Sequence, residues 1–207
     1  GPDFIDPMFH SRVLGANSRN LDTFFTDRET TRMLLAKNGR DCEIAVMEGV
    51  MGYYDGLSER SSRAGASDLA AVTETPVLLV VDASASSRSL LALIKGFLDF
   101  QQVPLIRGVI LNRISPMLYP RMKAVIEEEL PVKVAGYVPV LKDCVLESRH
   151  LGLMLPEEVD SLKEKMEILS SRLLETLDLD LILKIASEAG ELPEVSGAQG
   201  SGAGCGL

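Results

Sequence analysis

The sequence predicts an α/β protein built on a mostly parallel sheet. Short apolar runs that suit strands buried on both faces alternate with segments of helical pattern. Because parallel strands that follow one another need right-handed helical crossovers, this alternation favours three layers, with the sheet in the middle. The four predicted strands cover residues 44–47, 77–83, 105–111 and 132–138.

Composition limits the classes of function. The 207 residues are 46% hydrophobic and 25% charged, which is typical of a globular domain, and the net charge is −9. This charge argues against nucleic acid and anionic membranes as main partners. We find no membrane-span-length apolar run and no signal peptide. The three cysteines, Cys42, Cys144 and Cys205, form no C-x-x-C pair, which favours a reducing cytoplasm over disulfides or zinc.

The first 27 residues predict a loop. Pro2 and Pro7 bracket a segment that we expect to be extended and that carries Asp3 and Asp6. Acids held in such a loop could coordinate Mg²⁺, although turn-making is the commoner use of aspartate. Asp27 is then the predicted cap of a helix that runs from residue 28 to about residue 38.

The stretch EIAVMEGVMGYYDGL, residues 43–57, is the centre of the functional prediction. Its apolar run at 44–47 predicts a strand that ends in Glu48, and a glycine-rich loop follows with Asp55. Ligands of parallel α/β sheets bind beyond the carboxyl ends of the strands, so Glu48 is placed to hold a metal or a phosphate. An ordinary turn with a solvated Glu48 explains the same pattern.

The remaining elements continue the alternation. Helices are expected at residues 64–73 and 118–130, and another follows the serines of 84–89, which either cap it or bind an anion. The third predicted strand ends at Asn112, whose carboxamide suits the edge of adenine or a simple turn. A helical stripe covers 157–189, and a Gly/Ser-rich tail follows that we expect to be flexible. We therefore divide the chain into residues 1–155, a helical connector at 156–190 and a tail at 191–207.

Two absences restrict the chemistry. With only two histidines, no serine, histidine and acid form an obvious triad, which disfavours hydrolase chemistry of that kind. No GxxxxGK[ST] phosphate loop occurs in the sequence, and an ATP-dependent enzyme of the P-loop class needs one.

Six motifs together carry a family resemblance. In order they are GPDFIDPMFH, SRNLDTFF, MEGVMGYYDG, SLLALIKGFLDF, RGVILNRISPMLYP and LESRHLGL. They resemble the cobyrinic acid a,c-diamide synthases, which are glutamine-dependent, ATP-using amidases of cobalamin biosynthesis related to dethiobiotin synthetase. The similarity covers residues 1 to about 156 and extends more loosely to about 190. It implies a sheet of the P-loop NTPase and dethiobiotin synthetase type.

The resemblance also implies site residues and a cofactor set of ATP and Mg²⁺. Asp3 and Glu48 resemble the acids around Mg²⁺ and the phosphates, and Asp55 resembles an acid near the substrate carboxylate or the entering ammonia. Four further residues are implied at the substrate or at the adenine. They are Asp6 and Asp22 for the corrinoid substrate, and Asn112 and Pro139 for the adenine pocket.

The sequence departs from the family at both ends. It begins at GPD, where the family has a preceding strand and phosphate loop, and it lacks the glutaminase domain that supplies ammonia. We therefore expect the isolated chain to be inactive. An unfilled first-strand position would expose apolar surface and favour a homo-oligomer.

Three alternatives remain open. Related amidases act on hydrogenobyrinic acid or nickel-sirohydrochlorin, and the sequence does not separate these substrates. A second alternative is a non-catalytic binding or regulatory module on a degenerate P-loop scaffold. Such a module has no magnesium chemistry and would not need Asp3, Glu48 and Asp55 together. A ParA-like partitioning ATPase would also need a phosphate loop and does not explain GPDFIDP.

Overall fold

The computed structural model describes residues 5–84, 87–101, 105–144 and 156–194. Within them, helices alternate with three parallel strands, which confirms the α/β class. The strands are β1 (Val77–Asp82), β2 (Ile106–Asn112) and β3 (Lys133–Val138). The helices are α1 (Ile5–Arg12), α2 (Arg28–Gly39), α3 (Ala66–Thr73), α4 (Arg88–Asp99), α5 (Tyr119–Glu129), α6 (Pro156–Thr176) and α7 (Leu179–Ala186), with a 3₁₀ turn at Lys142–Cys144.

The chain divides into two compact units. Unit 1 comprises residues 1–20 and 74–189, and unit 2 comprises residues 21–73 and 190–207. Unit 1 holds the whole described sheet, and unit 2 holds α2 and α3. None of the described helices is long and apolar enough to cross a membrane.

The sheet of unit 1 has the order β1-β2-β3, and both strand pairs are parallel. In register, Val80 lies beside Ile110, and Ile110 lies beside Gly136. The core of this unit combines strand and helix side chains, since burial of apolar surface is the main favourable term in folding. Its fully buried members include Val109, Leu111, Val134, Leu90, Ile94 and Ile126.

The predicted helix cap at Asp27 is confirmed in unit 2. Its Oδ1 accepts a hydrogen bond of 2.8 Å from the backbone N–H of Thr30, in the first turn of α2. Arg32 of α2 donates from Nη1 to the carbonyl of Val72 at 3.1 Å, which joins α2 to α3. Thr31 is completely buried and shares a 2.7 Å hydrogen bond with the hydroxyl of Thr26.

The prediction that residues 1–27 form a loop is wrong for Ile5–Arg12, which form α1. Pro7 lies in the first turn of this helix, where its missing N–H removes no intrahelical hydrogen bond. Asp6 also lies in that first turn and not in a stiffened extended segment. Acidic side chains are favourable there because the helix dipole places positive charge at the N-terminus.

The prediction of a strand at Ile44–Met47 is also wrong, because this segment has no regular structure. Ile44 is 44% exposed and Val46 is 87% exposed. A strand is stabilised by ladder hydrogen bonds and by packing against its neighbours. In the described part of the chain this segment pairs with none of the strands.

The helical prediction for residues 157–189 is confirmed, with a break between α6 and α7. At the break, the backbone N–H of Asp178 donates to the carbonyl of Ala135 at 2.9 Å, and the Asp178 side chain caps α7. Gly136 forms a β-bridge with Leu177. The predicted flexible tail beyond residue 194, with Cys205, lies outside the described residues, as does the LESRHLGL motif.

Candidate functional site

Unit 1 presents polar residues where its three parallel strands end. β1 ends at Asp82, β2 ends at Asn112, and Pro139 directly follows β3. Because the strands are parallel and in register, their carboxyl ends lie at one edge, which is where α/β sheets bind ligands. The structure therefore brings Asn112 and Pro139 to the same edge, and their implied role at the adenine stays a prediction.

An ion pair between Arg113 and Asp82 lies at this edge and was not predicted from the sequence. Arg113 donates from Nε to Asp82 Oδ1 at 3.0 Å and from Nη2 to Asp82 Oδ2. Asp82 Oδ1 also accepts from the backbone N–H of Ser84 at 2.9 Å. The hydrogen bonds from Arg113 and Ser84 hold the pKa of Asp82 well below its ordinary value. The available signal was the acid that ends the apolar run VLLVVD.

Arg113 has a left-handed backbone with φ of +61°, which is uncommon for a residue other than glycine. Its N–H donates to the carbonyl of Val138 at 2.7 Å, and the carbonyl of Asn112 accepts from the N–H of Ala83 at 2.8 Å. These bonds extend the ladder past the strand ends. The half-buried Asn112 is thereby fixed between the end of β1 and the end of β3.

A cavity of about 380 Å³ lies beside Pro139. Tyr137 in its wall stacks on Tyr119, with ring centroids 4.2 Å apart. Charged side chains lie in the same wall, where Arg172 donates from Nη1 to a carboxylate oxygen of Glu175 at 2.6 Å. Its lining includes Pro116, Tyr137, Pro139, Val140, Arg172 and Glu175.

Glu48 and Asp55 lie on the surface of unit 2, in the loop between α2 and α3. Asp55 is fixed by a reciprocal pair of hydrogen bonds, because its Oδ2 accepts from the N–H of Gly52 at 3.1 Å and its own N–H donates to the Gly52 carbonyl at 3.0 Å. A Cβ at Gly65 would lie 2.1 Å from the carbonyl oxygen of Asp55. The loop is therefore closely packed around Asp55. Burial raises the pKa of Tyr53 in the same loop to about 12, with a smaller contribution from Tyr54.

Asp22 forms a tight turn in unit 2, where its Oδ1 accepts from the N–H of Phe24 at 2.7 Å. Burial by itself raises the pKa of Asp22, and the hydrogen bond from Phe24 lowers it. The net result is a pKa below the ordinary value. Asp6 lies in α1 of unit 1, and Asp3 lies outside the described residues. The structure therefore leaves the implied substrate role of Asp6 and Asp22 as a prediction.

The serine-capping prediction fails at Ser87. This residue is the N-cap of α4, but its side chain makes no capping hydrogen bond. Its φ and ψ of −133° and −111° differ from the extended backbone usual at this position. Ser84 instead accompanies the Asp82–Arg113 pair, with 3.4 Å between its Oγ and Nη2 of Arg113.

The donor set for Mg²⁺ is only partly described. Within the residues that the structure describes, no three histidine, cysteine, aspartate or glutamate side chains come together as a metal site. Glu48 and Asp55 provide exposed carboxylates, which are the hard oxygen ligands that Mg²⁺ prefers. The implied partner Asp3 is not described, so the magnesium site stays a prediction. Cys42 and Cys144 are free thiols.

These features define the class of protein: an α/β protein with an open parallel sheet whose carboxyl edge carries polar residues beside a cavity. Comparison with known proteins then confirms the family resemblance. Over 194 residues, or 93% of this chain, it is 41% identical to a Listeria innocua protein named Cobyrinate a,c-diamide synthase. Proteins of the same name match at 37% identity over 191 residues in Methanocaldococcus jannaschii (91% of this chain) and at 35% over 187 residues in Priestia megaterium (90%).

The chain spans less than half the length of these curated relatives. It covers 43% of the Listeria and Methanocaldococcus proteins and 41% of the Priestia protein. No family model matches the chain. No solved structure matches it either.

Proposed function

We propose that this chain forms part of an ATP- and Mg²⁺-dependent ligase that amidates the a and c acetate carboxylates of cobyrinic acid in cobalamin biosynthesis. The observation that carries the proposal is the 41% identity to a protein named Cobyrinate a,c-diamide synthase along 93% of the chain. The fold agrees with the proposal, because the adenine residues implied by the resemblance, Asn112 and Pro139, lie at the carboxyl edge of the sheet. We also propose that this sheet is of the P-loop NTPase and dethiobiotin synthetase type.

The proposed chemistry solves a problem of reactivity. A carboxylate is a poor electrophile until one of its oxygens becomes part of a leaving group. A substrate carboxylate oxygen therefore attacks the γ-phosphorus of ATP, which releases ADP and forms an acyl phosphate. Ammonia then attacks the acyl carbon and loses a proton, phosphate leaves, and an amide remains. Bound Mg²⁺ would neutralise charge on the phosphate oxygens.

We assign the residues accordingly. Glu48, with Asp3, would hold Mg²⁺, and Asp55 would orient the substrate carboxylate or the ammonia. The reciprocal bonds between Asp55 and Gly52 support a positioning function, since they fix the backbone that carries the carboxylate. Asn112 would read the adenine edge and Pro139 would line its pocket. The ammonia would come from glutamine, in keeping with a glutamine-dependent reaction.

Exchange of this chain into the Listeria innocua relative tests the roles of the acids. The 194 matched residues of that protein are replaced with those of this chain, and diamide formation from cobyrinic acid, ATP, Mg²⁺ and glutamine is followed by chromatography. We expect Glu48→Gln and Asp55→Asn each to lower kcat by about 100-fold or more, because each removes a charge placed at the reacting groups.

The control is Glu43→Gln, which removes another exposed acid just before the loop. It should change kcat less than about twofold, as is usual for a surface charge away from the site. Equal losses in all three variants would contradict the proposed roles of Glu48 and Asp55. Full activity in the Glu48 and Asp55 variants would contradict them as well.

A further inference from the structure

A second cavity, of about 420 Å³, lies in unit 2, with the turn before α2 on one side and α3 with the segment before it on the other. None of the residues assigned above to catalysis or to adenine lines it. Two neighbouring aromatic rings and two cationic side chains share its wall, and a volume of this size suits part of a small-molecule ligand. Its lining includes Thr23, Phe24, Phe25, Arg28, Arg63 and Asp68.

The two rings are unusually exposed for their size. Phe24 is 56% exposed and Phe25 is 63% exposed. Their centroids are 4.9 Å apart and their planes are nearly perpendicular, at 87°. Adjacent exposed rings in a cavity wall indicate a partner with an extended apolar or conjugated surface, since burial of such rings is strongly favourable.

The turn that carries these rings is fixed at both ends. At its start, Asp22 accepts the hydrogen bond from Phe24 N–H, and its carbonyl accepts from the hydroxyl of Thr26 at 2.9 Å. At its end, Asp27 caps α2. The backbone of the rings is therefore ordered before any ligand arrives, which lowers the entropy cost of binding.

The carboxylate of Asp68 in α3 links the turn before α2 to the segment before α3. Asp68 Oδ2 accepts from the hydroxyl of Thr23 at 2.7 Å and from the N–H of Ala64 at 2.7 Å. Ala64, which follows Arg63, has a left-handed backbone with φ of +61°. Such a conformation is costly for alanine and persists only where surrounding contacts enforce it. Here these contacts hold Arg63 opposite the aromatic turn.

The wall of this cavity carries two cations, Arg28 and Arg63, and two carboxylates, Asp27 and Asp68, so it does not share the acidic balance of the chain as a whole, whose net charge is −9. Arg28 and Arg63 are both exposed, and among the described residues Arg63 forms no ion pair. The two carboxylates of the wall, Asp27 and Asp68, already accept hydrogen bonds from the protein. The Arg63 guanidinium is therefore the group suited to bind an incoming anion, and arginine matches carboxylates through paired N–H donors.

We propose that this cavity binds one edge of a conjugated macrocycle that bears several carboxylates. The ring edge lies against Phe24 and Phe25, and a peripheral carboxylate pairs with Arg63. Asp22, for which the resemblance implied a substrate role, then contributes to this site by fixing the backbone of Phe24. This inference rests on the proposed function, whose substrate is such a molecule, and adds the residues that recognise it.

Titration of the full chain with cobyrinic acid, followed by its visible absorbance and by calorimetry, tests the cavity. Arg63→Gln should raise Kd about 10-fold, because a desolvated charge-assisted hydrogen bond is lost. Arg60→Gln is the matched control, since Arg60 is exposed in the same loop and does not line the cavity. It should change Kd less than about twofold.

Two further measurements separate ring contacts from charge. A Phe24→Leu, Phe25→Leu double variant keeps apolar side chains but removes both rings, and should also raise Kd about 10-fold. Circular dichroism checks that each variant is folded. A corrinoid whose peripheral carboxylates are all amides should bind at least 10-fold more weakly than cobyrinic acid and should be insensitive to Arg63→Gln.

The outcomes distinguish this inference from the proposed function. Binding that is equally sensitive to Arg60→Gln and Arg63→Gln, or insensitive to both, overturns the cavity assignment. The proposed function still stands in that case if the exchanged Listeria protein forms the diamide. Failure of the folded chain to bind cobyrinic acid overturns the cavity assignment, and failure of the exchanged protein to form diamide overturns the proposed function.

Discussion

At the scale of single residues, the Asp82–Arg113 ion pair links the carboxyl ends of β1 and β2. Both side chains are about half exposed, so the pair contributes little to stability, but its two-pronged geometry fixes the positions of both groups. The run VLLVVD showed that an acid ends β1. It did not show that Arg113 lies beside this acid, because that contact depends on the register of β1 with β2. The sequence therefore predicted Asn112 at this edge but not the ion pair next to it.

We predict that Arg113→Gln raises the pKa of Asp82 towards its ordinary value of 3.8, because the main hydrogen-bond donor and the positive charge are lost. In the wild type the folded pKa is lowered. The pair therefore stabilises the fold above about pH 4, and this contribution is lost as the pH falls through the folded pKa. NMR detection of the carboxyl carbon of Asp82 during an acid titration measures the effect.

Arg107→Gln provides the control for this titration. Arg107 is also on β2, but its Nε lies 3.4 Å from a carboxylate oxygen of Glu188. Its replacement should leave the titration of Asp82 unchanged. A titration of Asp82 that is the same in the wild type and in Arg113→Gln would contradict the geometry of the pair.

At the scale of elements, Gly136 determines how the end of α6 meets β3. Its φ of +135° lies in a region that side chains disfavour, and an added Cβ would lie 2.5 Å from the carbonyl oxygen of Thr176. The helical stripe of residues 157–189 was predictable from its periodicity. The break at Leu177–Asp178 was not, because it depends on contacts with β3 that lie about 40 residues away in sequence.

We predict that Gly136→Ala lowers the free energy of unfolding by about 3 kcal/mol, since it combines a disfavoured φ with a backbone clash. Gly96→Ala is the matched control, because Gly96 lies exposed within α4 and an added Cβ meets no atom within 4 Å. It should raise stability by about 0.5–1 kcal/mol through better helix propensity. Urea denaturation measures both changes, and a tolerated Gly136→Ala would contradict the described packing.

At the scale of the whole molecule, the strands that pair with each other were predictable, whereas the predicted strand at residues 44–47 has no strand partner in the described part of the chain. The apolar runs that became β1, β2 and β3 pair with each other and are largely buried. The run at Ile44–Met47 is apolar as well, but Ile44 and Val46 remain exposed in the described structure. Apolar composition alone does not make a strand, since strand stability depends on neighbours. The α/β class, the carboxyl edge and the family resemblance were thus accessible from sequence, whereas the ion pair and the aromatic cavity required coordinates.

The measurement that tests the central claim most directly is product analysis with the Listeria innocua protein in which this chain replaces the 194 matched residues. It is incubated with cobyrinic acid, ATP, Mg²⁺ and either glutamine or ammonium salt, and products are separated by chromatography and identified by mass spectrometry. We predict cobyrinic acid a,c-diamide, formed in parallel with ADP and absent without ATP. A folded protein that leaves cobyrinic acid unchanged with both nitrogen sources would contradict the claim, and amidation of hydrogenobyrinic acid alone would contradict the assigned substrate.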